Sequence, residues 1–500
     1  MPPFYLTTAI DYANGDPHLG HTLEKVGADV IARWRRLRGD DVRFLMGMDE
    51  HGQKVARSAQ KAGIEPQAWV DGIGATFDAT WRSLLCSHDD WIRTTQPRHR
   101  TGVTAFLERM RARSPDDLVV QVYEGLYVVG AEEFVQEGEL VDGVHPEHPN
   151  DPPVVMREEN VFFRLSRYRD ALDQLIRSGA LQVEPAIRRN EMLRLLEGGL
   201  HDISISRPRI PWGIPFPGRP GDTVYVWYDA LLNYLTAVGV DAWEAHPADV
   251  HVIGKGISRF HCLIWPAMLL SAGLPLPRRV QVHGYVQWDG AKMSKSAGTA
   301  VSVAEARDRH GADALRYYLM RDIGLENDGD FTWERFDARY TADLADGLGN
   351  LASRSLAMLE KYRGGVVPAA PPTTALDDDG RAALDAYAAA MDAFDPKGAC
   401  EAAWRHVTAA NQYIVQVAPW TLAKQGDAPA LDAALAALAR CLHRLALMSA
   451  PVMPARAELL WQALGRPGPL DAVRWDAERG AELAGARTTK PPVLFPKPAA

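Results

Sequence analysis

The run VRFLMGM, Val42 to Met48, is apolar at nearly every position and stops abruptly at DEHG, Asp49 to Gly52. A strand apolar on both faces belongs inside a parallel sheet covered by helices. The flanks fit that reading. Before the run, LEKVGADVIARWRRLRG carries Leu23, Val26, Val30, Ile31 and Trp34 at helical spacing, with Gly39 as the stop. After it, QKVARSAQKAG reads as a second helix, and Tyr5 to Ile10 upstream reads as another strand. The pattern returns far downstream: VHVIG (Val250 to Gly254), a Gly-Lys-Gly turn, the apolar helix FHCLIWPAMLLSAG, then the strand RVQVHGYVQW (Arg279 to Trp288). Strand, loop and helix in repetition predict a doubly wound α/β parallel sheet, with functional groups at the carboxyl ends of its strands.

The two halves of this pattern are separated by a stretch of short β-like runs, acidic turns and prolines (VVQVYEGLYVVG, HPEHPNDPPVV). With 500 residues, the chain exceeds one core, because domains usually run to about 100–200 residues. The expected division is a sheet domain over 1–115 and 223–290, split by an inserted domain over 116–222. A loop and connecting region follows over 291–340, then an Ala/Leu-rich helical bundle over 341–480 and an extended proline-rich tail over 481–500. No apolar run reaches the ~20 residues that span a bilayer. The start, MPPFYLTTAIDYANG, lacks the basic-then-apolar order of a secretory signal. Cys86, Cys262, Cys400 and Cys441 form no CxxC pair, which suits a reducing, cytoplasmic setting. A net charge of −9 argues against nonspecific coating of nucleic acid, though not against a local basic groove.

Two short motifs carry chemistry. In DYANGDPHLGH, Asp16 is a suitable helix cap and Pro17 a suitable first-turn residue. His18 and His21 then share a helix face near its positive end, and Gly20 leaves room for a flat ring or a phosphate. As metal ligands the two histidines would need further partners, and none stands nearby in sequence. In AKMSKS, Lys292 and Lys295 share a polar loop with Ser294 and Ser296. Such a loop can close over a triphosphate. An HxGH string followed by KMSKS on a split sheet domain resembles class I aminoacyl-tRNA synthetases.

More specifically, the chain is similar to the methionyl-tRNA synthetase family over nearly its whole length. AIDYANGDPHLGH, GMDEHG, DISISR, YVWYDAL, NYLT, GKGISRFHCLIWPA, HGY and GNLASRS carry the resemblance, in order. It implies a class I Rossmann-type catalytic domain split by a connective insertion and followed by an all-α anticodon-binding bundle. It also implies ATP-dependent attachment of methionine to tRNA(Met), initiator tRNA included, with Mg²⁺ on the triphosphate. His18, His21, Lys292 and Lys295 would be catalytic, and Gly20, Ser294 and Ser296 would join them around ATP. Asp49, at the end of a strand, is placed to meet the methionine ammonium. An apolar, aromatic cage suits a thioether. The resemblance supplies Ile10, Tyr12, Trp227, Ala230, Leu231, Tyr234, Ile257, His261 and Trp265, with Tyr12 and His261 as donors toward sulfur. Arg207 would face the methionine carboxylate or the phosphates. Asn350, Arg354 and Trp420 would read the CAU anticodon by edge hydrogen bonds and stacking.

Three departures stand out. Many relatives carry a cysteine zinc knuckle in the insertion, but here the corresponding residues are Val128 to Ala131, His145 and His148. No structural zinc is expected. Gly256 replaces an acidic residue expected near the ATP ribose, and Asp11 stands where proline or alanine is common. Longer relatives continue into a dimerising domain, so a monomer is expected. The rival readings are a class I synthetase for leucine, valine or cysteine, and a relative that binds tRNA or nucleotide without charging it.

Overall fold

The computed structural model describes residues 1–500 except 129–132, 136, 147–149, 209, 211, 294–300, 491–492 and 498–500; for 123, 133, 134, 139, 291 and 292 only the backbone is described. At its centre lies a parallel sheet of seven strands. Their spatial order is Asp11–Tyr12, Asp41–Asp49, Pro3–Thr8, Val250–Gly254, Arg279–His283 and Gln182–Glu184, and Asp90–Arg93 also pairs with Asp41–Asp49. Phe44, Leu45, Met46 and Met48 have no exposed surface, as a strand covered on both faces requires. The order reverses between Pro3–Thr8 and Val250–Gly254, which creates a crevice at their carboxyl ends.

Several boundaries differ from the sequence reading. The first strand is Pro3–Thr8 rather than Tyr5 to Ile10, and the chain re-enters the sheet only briefly at Asp11–Tyr12. The run from Arg279 to Trp288 divides: Arg279–His283 stays in the main sheet, while Val286–Trp288 joins Ala291–Lys292 and Gly329–Asp330. The stretch 116–222 is not one continuous insertion. It forms an antiparallel sheet from Leu118–Val128, Glu133–Val135, Val154–Phe163 and Ile203–Ser204, yet also sends Gln182–Glu184 back to pair with Arg279–Gln281. A three-residue strand, QVE, is too short and polar to show as a buried run.

The helical region follows the expected period, in helices Asn350–Arg363, Ala375–Asp392, Pro396–Val417, Ala428–Ser449 and Pro454–Ala463. Ala428–Ser449 is buried almost all round and forms the axis of the bundle. The bundle docks directly on helix Leu19–Arg38: Trp34 Nε1 donates to Asp392 Oδ1 at 2.8 Å, and its ring meets Tyr387 and Trp475 edge-on. The tail is not simply extended. Leu494 and Phe495 are buried, and Tyr340 Oη donates to Pro496 O at 2.6 Å. Among the described residues, no helix is long and apolar enough to cross a membrane.

Candidate active site

The crevice is floored by the start of helix Leu19–Arg38. His18 itself is the N-cap, two residues later than the expected Asp16. The reason is a partner strand: His18 bridges Ser302, and Leu19 N donates to Val301 O at 3.1 Å, so the chain stays extended through His18. The two imidazoles cap the helix reciprocally. His18 Nδ1 accepts from Gly20 N at 3.1 Å, and His21 Nδ1 accepts from His18 N at 3.2 Å. A nitrogen that accepts carries no proton, so each neutral ring bears its proton on Nε2. The rings lie 3.9 Å apart. Two N–H donors therefore share the positive end of a helix, where anions are favoured. Gly20 has a more local purpose than room for a ligand: a Cβ there would lie 2.8 Å from His18 Cε1.

After the lysine loop the chain meets this helix start again at Val301 and Ser302. Lys292 pairs with Gln287, Met293 is buried, and Val301 and Ser302 hold the helix start. Ser294, Lys295 and Ser296 lie outside the described residues, as does the side chain of Lys292.

Behind the histidines sits a buried charge cluster that the sequence reading missed. Lys25 Nζ lies 2.8 Å from Glu24 Oε1 and 3.3 Å from Asp11 Oδ1, and donates to Ala9 O. Glu24 Oε2 accepts from Gly254 N at 3.0 Å and lies 3.2 Å from His283 Nε2. Burial opposes ionisation of Glu24, but Lys25 and then His283 hold its carboxyl down to about 2. Burial wins at Asp11, pushed up to about 6 against the more distant pull of Lys25. Asp11 is buried, and it also accepts from Trp81 Nε1 at 3.1 Å.

The expected cage residues lie within the apolar interior of the sheet domain. Ile10, Tyr12, Trp227, Leu231, Tyr234, Ile257 and Trp265 belong to one hydrophobic cluster, and Ala230 shares the helix Val226–Leu231. Trp227 is half-buried and stacks on Phe260 at 4.8 Å. Asp49 ends its strand beside Tyr12. One expectation needs correcting. Burial lowers the His261 pKa to about 4, so the ring is neutral. Its Nδ1–H donates to Ile257 O at 3.0 Å, and its Nε2 accepts from Tyr234 Oη at 2.6 Å. With its one N–H committed, His261 cannot also donate to a sulfur. Trp265 is fully buried and donates to His251 Nε2 at 3.2 Å, a core role.

A second feature missed from sequence is the buried carboxylate of Asp229, set between two imidazoles. His51 Nδ1 lies 2.7 Å from Oδ2 and His99 Nε2 lies 2.6 Å from Oδ1. Burial alone would raise Asp229, but His51 and then His99 hold it down to about 2. Arg207 packs against Tyr225, a member of the same hydrophobic cluster. Its Nη1 donates to Ser204 O, Ser204 Oγ and Ser206 O, and the guanidinium lies 4.0 Å over the Tyr225 ring.

The remaining expected residues are at or near the surface. Asn350 and Arg354 occupy the first two turns of Asn350–Arg363, and Trp420 is 40% exposed. A groove of about 550 Å³ lies between residues 342–347, which lead into Asn350, and helix Pro396–Val417, which leads toward Trp420. Gly256 is exposed, and its neighbour Lys255 pairs with Asp328 at 2.7 Å. In the insertion, residues 129–131 and His148 lie outside the described residues, and His145 is half-buried. Among the described residues no three or more His, Cys, Asp or Glu side chains assemble a metal site.

Two family models cover the chain. The one described as tRNA synthetases class I (M) matches residues 4–151 and 148–356, and the one described as anticodon binding domain of methionyl tRNA ligase matches 366–499. A methionine--tRNA ligase of Streptomyces coelicolor is 41% identical over 99% of this chain and 96% of its own length. The chain belongs to the methionyl-tRNA synthetase family. A second relative, from Thermotoga maritima, is 41% identical over 91% of this chain and 74% of its own. Among solved structures, Mycobacterium tuberculosis methionyl-tRNA synthetase in complex with methionyl-adenylate superposes with a TM-score of 0.93 at 38% identity, covering 99% of this chain and 100% of that one. Its apo form superposes with a TM-score of 0.87 at 35% identity, covering 100% of this chain and 99% of that one. In this synthetase the second family model starts at 366, so Asn350 and Arg354 fall under the class I model.

Proposed function

We propose that the chain is a methionine--tRNA ligase that makes methionyl-adenylate from methionine and ATP, then charges tRNA(Met), initiator tRNA included. One observation supports the mechanism: the Nδ1 atoms of His18 and His21 are tied as acceptors at a helix start in the sheet's switch point, which leaves the proton of each neutral ring on Nε2. The methionine carboxylate is already a nucleophile, so the protein need only position it and stabilise charge. It attacks the ATP α-phosphate in line and pyrophosphate leaves. His18, His21, Lys292 and Lys295 hold the phosphate charge, with Gly20, Ser294 and Ser296 beside them. Mg²⁺, carried on the ATP triphosphate beside Lys292 and Lys295, would supply further charge neutralisation there. Asp49 takes the ammonium, and the cluster around Trp227 takes the thioether, with Tyr12 as the donor toward sulfur. The ribose 2′-OH of the terminal adenosine then attacks the acyl carbon and AMP leaves.

Shape selection among small apolar side chains is worth only ~1–3 kcal/mol, so homocysteine, one methyl smaller, is the expected error. Methionine-dependent ATP–pyrophosphate exchange by the purified chain tests the reading. Faster exchange with leucine would overturn the specificity. Absent exchange with tRNA binding retained would point to a non-charging relative.

Gly20→Ala should push the His18 ring aside and lower exchange by about 10²-fold, as small misplacements of positioned groups do. Circular dichroism should show the fold unchanged.

In the bundle, Asn350, Arg354 and Trp420 read the CAU anticodon. Trp420→Ala should raise the tRNA KM by about tenfold or more, since a base–aromatic stack is worth ~1–3 kcal/mol. Exchange, which needs no tRNA, should not change. A monomer in the cytoplasm suits the four buried free thiols, and light scattering checks the monomer.

A further inference from the structure

Asp229 joins three elements that are far apart in sequence. Its Oδ2 accepts from His51 at 2.7 Å and its Oδ1 from His99 at 2.6 Å. His99 Nδ1 contacts Thr236 Oγ1 at 2.7 Å. Asp229 and His99 have no exposed surface and His51 almost none. A charge so placed depends on its hydrogen-bond partners. The fold is shaped to bring them in. Helix Pro97–Arg113, which carries His99, passes so close to Thr236 that a Cβ on Gly102 would lie 2.4 Å from Thr236 Cγ2.

The three elements differ in what they carry. His51 stands two residues after Asp49 in DEHG. Asp229 stands between Trp227 and Ala230 on helix Val226–Leu231. One buried carboxylate thus connects the loop assigned to the methionine ammonium with the helix assigned to its side chain. We infer that Asp229 is a positioning residue that, through His51, fixes the separation of Asp49 from the Trp227 wall and so sets affinity for methionine. The inference rests on the function proposed above. A site held loosely by its supporting groups loses the geometry of both walls together. The phosphate side depends on other elements, since His18 and His21 sit on helix Leu19–Arg38 and its cap. The effect should therefore fall on methionine and spare ATP.

The test compares KM for methionine and for ATP in the exchange reaction of the full chain. Asp229→Asn replaces one accepting oxygen with a donor that confronts an imidazole N–H. It should raise the methionine KM by about 10- to 100-fold, the range for a lost hydrogen bond to a charged group, with the ATP KM unchanged. His51→Ala should act in the same direction. His51→Asn, whose amide N–H falls where Nδ1–H stood, should restore most of the affinity. The double variant Asp229→Asn/His51→Ala should be little worse than the worse single one, because the two act as a unit. Should Asp229→Asn fail to fold, the contrast between His51→Ala and His51→Asn decides. Equal changes in both KM values, or no rescue by His51→Asn, would overturn the inference. A wild-type chain without methionine-dependent exchange would instead overturn the function on which it rests.

Discussion

His18→Asn should leave the fold intact and lower methionine-dependent ATP–pyrophosphate exchange by about 10²–10³-fold, the usual cost of removing one preorganised donor from a developing anion. The expectation follows from the two tasks of one ring. Its Nδ1 caps the helix by accepting from Gly20 N. On the proposed function, its Nε2 carries the proton and would serve the phosphate. Asparagine is among the best N-cap residues, and its side-chain oxygen can take over the first task. Nothing in its short amide reproduces the second. His18→Ala loses both, so it should show the same catalytic loss plus about 1 kcal/mol of instability from the missing cap. Calorimetry and exchange kinetics on the two variants separate capping from catalysis. Wild-type exchange by His18→Asn would remove His18 from the phosphate site. His21→Asn should behave similarly, because its Nδ1 is also tied to the backbone. The two losses should not add, since the rings share one site.

What could be read from the sequence depended on how local each cause was. Val42 to Met48 announced a buried parallel strand because burial on both faces from Phe44 onward leaves no polar positions there. The HLGH and KMSKS strings were legible as motifs, and Gly39 as a helix stop, since each is fixed by neighbouring residues. Asp90–Arg93 and Gln182–Glu184 were not legible. They are short and partly polar, and they become strands only because Asp41–Asp49 and Arg279–His283 offer them a free edge. The cap of the first helix was misplaced for a similar reason: Asp16 has the right chemistry, but Val301 and Ser302, far along the chain, hold His18 extended. The cage illustrates the same divide. Residue types suited to methionine were visible, whereas the proton of His261 is settled by Ile257 O and Tyr234 Oη, which no pattern reveals. Asp229 was hidden altogether, as its histidine partners lie 178 and 130 positions away.

Arg316→Met should cost about 3–5 kcal/mol of stability, the typical result of removing one partner from a buried ion pair. Arg316 and Asp29 have no exposed side-chain surface, and Nη2 lies 2.6 Å from Oδ2. The same guanidinium donates to Leu84 O at 3.0 Å, Pro451 O at 2.9 Å and Val452 O at 2.8 Å. It thus ties helix Leu19–Arg38, the turn after helix Pro66–Ser83 and the end of bundle helix Ala428–Ser449 into one junction. Methionine can fill the volume but satisfies none of the four oxygens. Asp29 keeps Arg33 at 2.8 Å and Ser87, so the junction weakens rather than vanishes. Burial alone would raise the Asp29 carboxyl, but Arg33, Arg316 and Ser87 together hold it well below the usual carboxylate range. A carboxylate depressed in the fold contributes stability above the unfolded value, near 4, and loses it as pH falls through the folded value. Arg316→Met moves the folded value back up, so acid unfolding should begin at a higher pH than in the wild type. Urea melts at pH 7 and a pH titration followed by circular dichroism check both parts. The pair Asp29→Leu/Arg316→Met should recover only part of the loss, because it removes the stranded carboxylate but leaves Arg33 and Ser87 without their acceptor. An unchanged urea midpoint for Arg316→Met would mean that apolar contacts such as those of Trp34 with Tyr387 and Trp475 hold the bundle on the catalytic helix by themselves.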